Sequence, residues 1–151
     1  MNTVEYISAS VEETEAIAAR LALEAAAKGK AFLALFGDMG VGKTAFVRGF
    51  CQALAIGGVH SPTYALVNEY RGEGRTVYHF DLYRLSDEDD LYAIDFDHYV
   101  EQNALILCEW SERLGSLLPP DAWRITIART EKEGVRTISV CKENNRENSG
   151  T

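Results

Sequence analysis

The sequence is poor in cysteine, in proline and in long apolar runs. Its 151 residues include three cysteines and three prolines. Cys51, Cys108 and Cys141 are widely spaced and odd in number, which argues against a disulfide framework and predicts reduced, buried thiols. Apolar runs such as Ala31 to Phe36 are far shorter than the ~20 residues of a membrane-spanning helix. The residues MNTVEYISAS lack the basic start and apolar core of a secretion signal. We therefore expect a cytoplasmic protein without a membrane partner.

Positive charge is also scarce. Lysine and arginine number 15 against 23 acidic residues, a formal net charge of −8. Affinity for nucleic acid comes mostly from basic side chains that neutralise phosphates. The balance therefore disfavours direct, tight binding to nucleic acid, and any role in a nucleic-acid pathway is expected to run through a protein partner.

Length and apolar content predict one folded domain. Hydrophobic residues make up 46% of the chain, which is ordinary for a globular domain and excludes a disordered chain. We assign residues 1–142 to this domain. Residues 143–151 are polar and are expected to form a flexible tail.

Local patterns predict an α/β fold with a mixed sheet. Helices are expected at 11–28, behind the capping-box pair Ser10 and Glu13, at 44–54, and over a short acidic stretch from Ser86. The predicted strands are 3–7, 31–36, 64–70, 76–83, 104–108, 123–129 and 135–141. Gly72-Glu-Gly74 and the turn 131–134 indicate two hairpins. We expect three layers, with the sheet parallel at its centre and antiparallel toward its edges.

The segment Gly37 to Thr44 reads GDMGVGKT and fits the phosphate-loop pattern G-x-x-x-x-G-K-[ST]. Its glycines let the backbone N–H groups approach phosphates closely. Lys43 is expected to neutralise the β- and γ-phosphates, and the Thr44 hydroxyl to ligate Mg²⁺. The predicted class is a three-layer P-loop NTPase fold.

Two acidic residues stand at the ends of predicted strands. Asp81 follows Val77-Tyr-His-Phe, and Glu109 follows Ala104-Leu-Ile-Leu-Cys. Ligands in such sheets bind outside the carboxyl ends of the strands, so both carboxylates are expected near the phosphates. The sequence does not divide metal binding from water positioning between them.

Two further positions have both a functional and a structural interpretation. Thr63, in Ser61-Pro-Thr, lies where a loop that closes on the metal or the γ-phosphate is expected, and a plain proline turn fits equally well. His79 alternates with Asp81 on one strand face. It is interpreted as a structural histidine, with a supporting contact to the site as the alternative.

Several strings together resemble the bacterial TsaE family. They are GDMGVGKT at 37–44, VRGF at 47–50, SPTY at 61–64 with Leu66-Val67, YHFDLYRL at 78–85 and EW at 109–110. The resemblance covers nearly the whole chain to about Pro119. The sequence departs from the family pattern at Ala45, Asp95 and Ser111, none of which is a predicted phosphate contact.

The resemblance implies an ATPase that uses ATP and Mg²⁺ and serves the threonylcarbamoyladenosine modification of tRNA. It implies a TsaD–TsaB-like protein complex as the partner, with tRNA contacted only through that partner. It places Lys43, Asp81 and Glu109 in catalysis, and Thr44, Asp81 and Glu109 at the metal. It also suggests that Gly134 and Arg136 border the adenine. The full predicted nucleotide-binding set is Gly37, Asp38, Met39, Gly40, Val41, Gly42, Lys43, Thr44, Thr63, Gly134 and Arg136.

Two other functions fit the phosphate loop. One is a small-molecule kinase, although no arginine-rich lid is visible in the sequence. The other is a nucleotide-gated binding module with little hydrolysis. Phosphate release measured with and without acceptors and partners separates the three.

Overall fold

One seven-stranded mixed sheet organises the chain. A computed structural model describes residues 3–38, 40–57, 66–72, 74–83, 85 and 88–142. The strands are β1 Thr3–Ser8, β2 Ala31–Phe36, β3 Val67–Gly72, β4 Arg75–Asp81, β5 Leu105–Glu109, β6 Trp123–Arg129 and β7 Arg136–Lys142. The helices are α1 Val11–Lys28, α2 Lys43–Ala53, α3 Glu88–Ala93 and α4 Phe96–Val100, with a 3-10 helix at Ser111–Leu117.

The strand order is β1-β7-β6-β2-β5-β4-β3. The pairs of β2 with β5, β2 with β6 and β4 with β5 are parallel. The β3–β4, β6–β7 and β1–β7 pairs are antiparallel. This confirms the expected α/β class, the two hairpins, and a sheet that is parallel at its centre and antiparallel toward both edges.

Two apolar cores lie on opposite faces of the sheet and make a three-layer arrangement. On one face α1 and α2 pack on the inward side chains of β2 and β5, with Phe46, Phe50 and Leu21 fully or almost fully buried. On the other face α3, α4 and the 3-10 helix cover Phe80 and Ile106. Because β2 and β5 are covered on both faces, their sequences are continuously apolar rather than alternating.

Local signals set the ends of α1 as expected. Ser10 Oγ accepts a hydrogen bond from the Glu13 backbone N–H at 3.1 Å, and Glu13 Oε1 accepts one from Ala9 N–H at 2.6 Å. Gly29 ends the helix in the left-handed conformation, with φ 81°. The helix therefore spans the predicted residues, Val11–Lys28.

Two short helices were not predicted, α4 and the 3-10 helix. Each begins after a non-glycine residue with positive φ, Asp95 at 60° and Trp110 at 59°. Asp95, one of the departures noted in the sequence, has a left-handed backbone, a conformation that glycine adopts more readily than other residues. The departure at Ser111 is also accommodated, since its buried hydroxyl donates to the Cys108 carbonyl oxygen at 2.7 Å.

All three cysteines are free and buried, as expected. Within the described residues, no helix is long and apolar enough to cross a membrane. The assigned tail, residues 143–151, lies outside the described residues.

Candidate active site

The predicted phosphate loop joins β2 to α2 and contains three glycines with positive φ. The φ values of Gly37, Gly40 and Gly42 are 145°, 79° and 118°. Side chains rarely adopt these conformations, so the loop needs glycine at these places. Gly42 directly precedes α2, and its carbonyl oxygen accepts from Phe46 N–H at 3.0 Å. The open amino end of α2 therefore points into the loop, which favours an anion there. Met39 lies outside the described residues.

Gly37 also has no room for a side chain. A Cβ placed on it would lie 2.5 Å from the Ile127 carbonyl oxygen of β6 and 3.0 Å from Val41 Cγ2. The first glycine of the motif is therefore required by close packing against the neighbouring strand as well as by its backbone angle. Asp38 is exposed beside it, and its carbonyl oxygen accepts from Val41 N–H at 3.4 Å.

Lys43 is held inside the loop. Its Nζ donates to the Gly37 carbonyl oxygen at 2.7 Å and lies 3.8 Å from the centroid of the Trp110 ring. The residue is only 5% exposed. Burial lowers the pKa of the Lys43 ammonium, and the carboxylates of Glu109, Glu112, Asp81 and Asp38 partly oppose this.

Asp81 and Glu109 are neighbours across the sheet. They are paired in the parallel register of β4 and β5, so both stand at the carboxyl ends of their strands. Asp81 Oδ1 accepts from Tyr83 N–H at 3.1 Å. Burial raises the pKa of the Asp81 carboxyl and nearby Glu109 raises it further, against the lowering effect of that hydrogen bond.

One cleft brings the two acids and the loop together. It has a volume of about 350 Å³ and is lined by Gly40, Gly42, Lys43, Thr44, Asp81, Tyr83, Glu109 and Trp110. Thr44, at the start of α2, is exposed to this cleft. The structure thus collects residues from three separate segments of the sequence, the loop, the end of β4 and the end of β5, around one space.

Gly134 and Arg136 lie on the other side of the loop. They line a small cavity of about 130 Å³ together with Val41 and the amino end of α1. Arg136 Nε donates to the Val41 carbonyl oxygen at 3.2 Å. These two residues therefore border the loop but not the acidic cleft. Thr63 lies outside the described residues.

Sequence reasoning kept a contact of His79 with the site only as an alternative, and it missed Tyr70. His79 is fully buried, and its Nε2 lies 2.6 Å from Glu109 Oε2, while its Nδ1 lies 3.2 Å from the Tyr70 hydroxyl. The supporting contact kept as the alternative for His79 is the one observed. The signal for it was the alternation of His79 with Asp81 along β4.

The protein side chains around the cleft supply only part of the ligands that a divalent cation needs. Among the described residues, no group of three His, Cys, Asp or Glu side chains could hold a metal ion. Mg²⁺ commonly uses one or two carboxylates, a hydroxyl, water and the phosphates of its substrate. The two carboxylates and the Thr44 hydroxyl around the cleft match that donor set.

Another cavity, of about 390 Å³, lies at the opposite end of the sheet, near the amino ends of β2 and β5. Its lining includes Lys28, Lys30 and Lys142 around Phe32 and Trp123. It contains none of the predicted site residues.

Comparison with known proteins identifies the family. The family model described as "Threonylcarbamoyl adenosine biosynthesis protein TsaE" matches residues 8–138. The chain belongs to the TsaE family. The resemblance found in the sequence strings is thereby confirmed. The matched range includes the phosphate loop, Asp81, Glu109, Gly134 and Arg136.

Relatives in several bacteria carry the same name, tRNA threonylcarbamoyladenosine biosynthesis protein TsaE. The Bacillus subtilis protein is 36% identical over 130 residues, which are 85% of this chain and 80% of that protein. The Rickettsia conorii protein is 36% identical over 146 residues, 93% of this chain and 81% of that protein. The Haemophilus influenzae protein is 45% identical over 86 residues, which are 56% of this chain and 54% of that protein.

A solved structure shares the fold. The crystal structure of YdiB from Bacillus subtilis aligns with a TM-score of 0.78 at 27% identity, covering 98% of this chain and 90% of that one. The expected P-loop fold is thereby confirmed along nearly the whole chain.

Proposed function

We propose that this chain binds ATP with Mg²⁺ in the acidic cleft and hydrolyses it to ADP and phosphate, as an accessory in threonylcarbamoyladenosine modification of tRNA. One observation carries the proposal. Asp81 and Glu109, paired in register at the ends of β4 and β5, line the same cleft as Lys43 and Thr44. Phosphoryl transfer to water needs positioned donors for the phosphates, a metal and a group that orients the water.

The loop is the proposed phosphate site. Its left-handed glycines and the amino end of α2 present backbone N–H groups to an anion. Lys43 is already within the loop and needs only to exchange the Gly37 carbonyl oxygen and the Trp110 face for phosphate oxygens. We place the adenine on the side of Gly134 and Arg136, since their cavity shares Gly40 and Gly42 with the acidic cleft.

Thr44, Asp81 and Glu109 are the residues that would hold Mg²⁺. When bound there, the ion would neutralise charge on the β- and γ-phosphate oxygens. Asp81 and Glu109 would also share the task of orienting the attacking water. Lys43 stabilises the charge that spreads over the transferred phosphoryl group. No arginine is among the lining residues of the cleft that the structure describes, so we expect slow turnover by the chain alone.

Variants divide the work of the two acids. We expect the acid that mainly holds the metal to lose Mg²⁺-dependent ATP affinity when changed, in Asp81→Asn or Glu109→Gln. The acid that orients water should instead lose turnover with affinity retained. If both variants hydrolyse ATP normally with partners present, the proposed site is wrong.

The place in tRNA modification follows from the family. The relatives named above are tRNA threonylcarbamoyladenosine biosynthesis proteins. A net charge of −8 leaves little basis for direct tRNA binding. We therefore propose that the chain acts in the cytoplasm through a TsaD–TsaB-like complex that contacts the tRNA, and that Thr63 belongs to a loop that responds to the nucleotide.

The test has two parts. Labelled tRNA is titrated with the chain alone, and then with the TsaD–TsaB pair in ATP, in ADP and without nucleotide. We expect no tight binding by the chain alone and nucleotide-dependent assembly with the pair. Tight, salt-sensitive binding by the chain alone, or equal assembly in all three states, would contradict the proposal.

The second part measures phosphate release with and without small-molecule acceptors. We expect release that the partners accelerate and no phosphorylated acceptor. A phosphorylated acceptor would indicate a kinase, and nucleotide-dependent assembly without release would indicate a binding module.

A further inference from the structure

A chain of hydrogen bonds, partly buried at Asn68 and fully buried at His79, reaches Glu109 from the edge of the sheet. Asn68 Nδ2 donates to the Tyr70 hydroxyl oxygen at 3.3 Å, that hydroxyl lies 3.2 Å from His79 Nδ1, and His79 Nε2 lies 2.6 Å from Glu109 Oε2. The chain crosses three neighbouring strands, β3, β4 and β5. Tyr70, His79 and Glu109 are 8%, 0% and 4% exposed.

Donor and acceptor roles along this chain follow from chemistry. An ionised carboxylate only accepts hydrogen bonds, so the hydrogen between His79 and Glu109 belongs to His79 Nε2. The other ring nitrogen, Nδ1, faces the Tyr70 hydroxyl, which has both a donor hydrogen and acceptor lone pairs for it. The ring of Tyr70 also lies against that of His79, with centroids 5.9 Å apart.

The contact with His79 orients the Glu109 side chain. His79 contacts Oε2 of the Glu109 carboxylate. Among the described residues, no side chain donates a hydrogen bond to its other oxygen, Oε1. Glu109 itself lines the cleft. One carboxylate oxygen is therefore anchored, and the side chain keeps a single direction toward the reacting groups. Buried partners of this kind fix the ring orientation and the tautomer of the group they contact.

We propose that Tyr70 and His79 are positioning residues for Glu109, with the Tyr70 hydroxyl fixing the His79 ring so that its Nε2 anchors Glu109 Oε2. This rests on the proposed function, because the positioning matters only if Glu109 acts on a metal-bound nucleotide or on water. Tyr70 and His79 touch neither of these and act through Glu109. The relation deepens the ATPase proposal by adding Tyr70 and His79 to the residues on which the site depends.

The main variant is Tyr70→Phe, which removes one hydroxyl and keeps the ring. We expect kcat for ATP hydrolysis, with partners present, to fall about 10- to 100-fold while ATP affinity is unchanged. Tyr78→Phe is the matched control. Tyr78 is a buried tyrosine of β4 whose hydroxyl donates to Gln102 Oε1 at 3.1 Å in the core on the other face of the sheet. It should keep the wild-type kcat.

A double-variant cycle separates positioning from general damage to the fold. If Tyr70 acts through Glu109, then adding Tyr70→Phe to Glu109→Gln should lower kcat no further. A purely structural role predicts additive losses and a lower melting temperature for Tyr70→Phe alone. Additive losses overturn the proposal.

His79 supplies a second set of variants. His79→Gln retains an amide N–H that can reach Glu109, whereas His79→Leu retains none. We expect His79→Gln to keep more of the wild-type kcat than His79→Leu, at equal ATP affinity in the folded proteins. Equal activity of the two folded variants overturns the anchoring role.

Nitrogen-15 NMR of the histidine rings reads their hydrogen bonding without any turnover. His98 is exposed and provides an internal comparison. We expect the His79 ring signals of the wild type to be retained in Tyr78→Phe and displaced in Tyr70→Phe. His79 signals unaffected by Tyr70→Phe overturn the proposal.

Lys43→Ala distinguishes the two possible failures. If Lys43→Ala releases phosphate as fast as the wild type, the proposed function itself is wrong. If Lys43→Ala is inactive while Tyr70→Phe keeps full turnover, the ATPase proposal stands and the positioning inference is overturned.

Discussion

The Lys43 ammonium lies over the face of the Trp110 indole, with Nζ 3.8 Å from the ring centroid. Trp110 reaches this position because it directly follows β5 with a left-handed backbone, φ 59°. Such a conformation is costly for a bulky residue and is found where the surrounding structure requires it. The lysine of the phosphate loop and the residue after Glu109 are thereby joined across the cleft.

This contact predicts a fluorescence signal for nucleotide binding. The sequence has two tryptophans, and Trp123→Phe leaves Trp110 alone. A cation close to the ring perturbs the indole, so ATP that draws Lys43 away should change Trp110 emission. We expect a saturable change on adding ATP to Trp123→Phe. The matched protein Trp110→Phe should give no saturable change, and a signal there would contradict the assignment.

Lys43→Ala is expected to lower ATP turnover about 10²- to 10³-fold, because one preorganised charge contact to the transition state is lost. The measurement is phosphate release with partners present. Lys28→Ala, at the exposed end of α1, is the control and should retain the wild-type rate. Because Lys43 is buried and its Nζ donates to the Gly37 carbonyl oxygen, the melting temperature of the variant is measured first and the rates are compared at a temperature where both proteins are folded.

Asp81→Asn should raise the stability of the protein at neutral pH in the absence of Mg²⁺ and nucleotide. Burial raises the pKa of Asp81, so the folded state binds this proton more tightly than the unfolded state. The protonated Asp81 carboxyl therefore contributes stability, and this contribution is fully present below the pKa of about 3.9 that an aspartate has in the unfolded chain. It is lost as the pH rises through the folded pKa. At neutral pH the ionised carboxylate therefore lowers the free energy of unfolding.

The free energy of unfolding is measured with denaturant at about pH 7 and at about pH 3, on either side of the pH range in which the Asp81 carboxyl ionises. We expect the gain from Asp81→Asn at neutral pH and little difference in acid. Asp121→Asn, at an exposed position near the other end of the sheet, should show no such pH-dependent gain. A lower stability of Asp81→Asn at neutral pH would be the opposite of the expected sign.

Gly37→Ala is expected to destabilise the fold by about 1–3 kcal/mol, because overpacking forces the backbone to shift. The added Cβ would meet the Ile127 carbonyl oxygen at 2.5 Å. Gly57→Ala is the control, since a Cβ there meets nothing within 4 Å. Thermal unfolding and ATP titration of both variants check the prediction. We expect weaker ATP binding for Gly37→Ala alone.

Much of the fold could be predicted from local patterns in the sequence. The capping box at Ser10 and Glu13 and the glycine at 29 set the ends of α1, because helix ends depend on hydrogen bonds between residues a few positions apart. The apolar run 31–36 indicated a strand, and two glycine-containing turns indicated hairpins, because these signals also lie within a few consecutive residues. The phosphate loop was recognisable because its glycines, lysine and threonine lie within eight consecutive positions, 37–44.

Only the tertiary structure decided which side chains meet across the sheet. His79 and Glu109 are 30 positions apart, and Arg136 and Val41 are 95 apart. Their contacts depend on the strand order and on the register between β4 and β5, which no local spacing encodes. The sequence placed an acid at the end of each strand, whereas the packing of the sheet put the two acids side by side and anchored one of them. Local interactions determine elements, but a buried hydrogen bond between strands exists only after the sheet has brought its partners together.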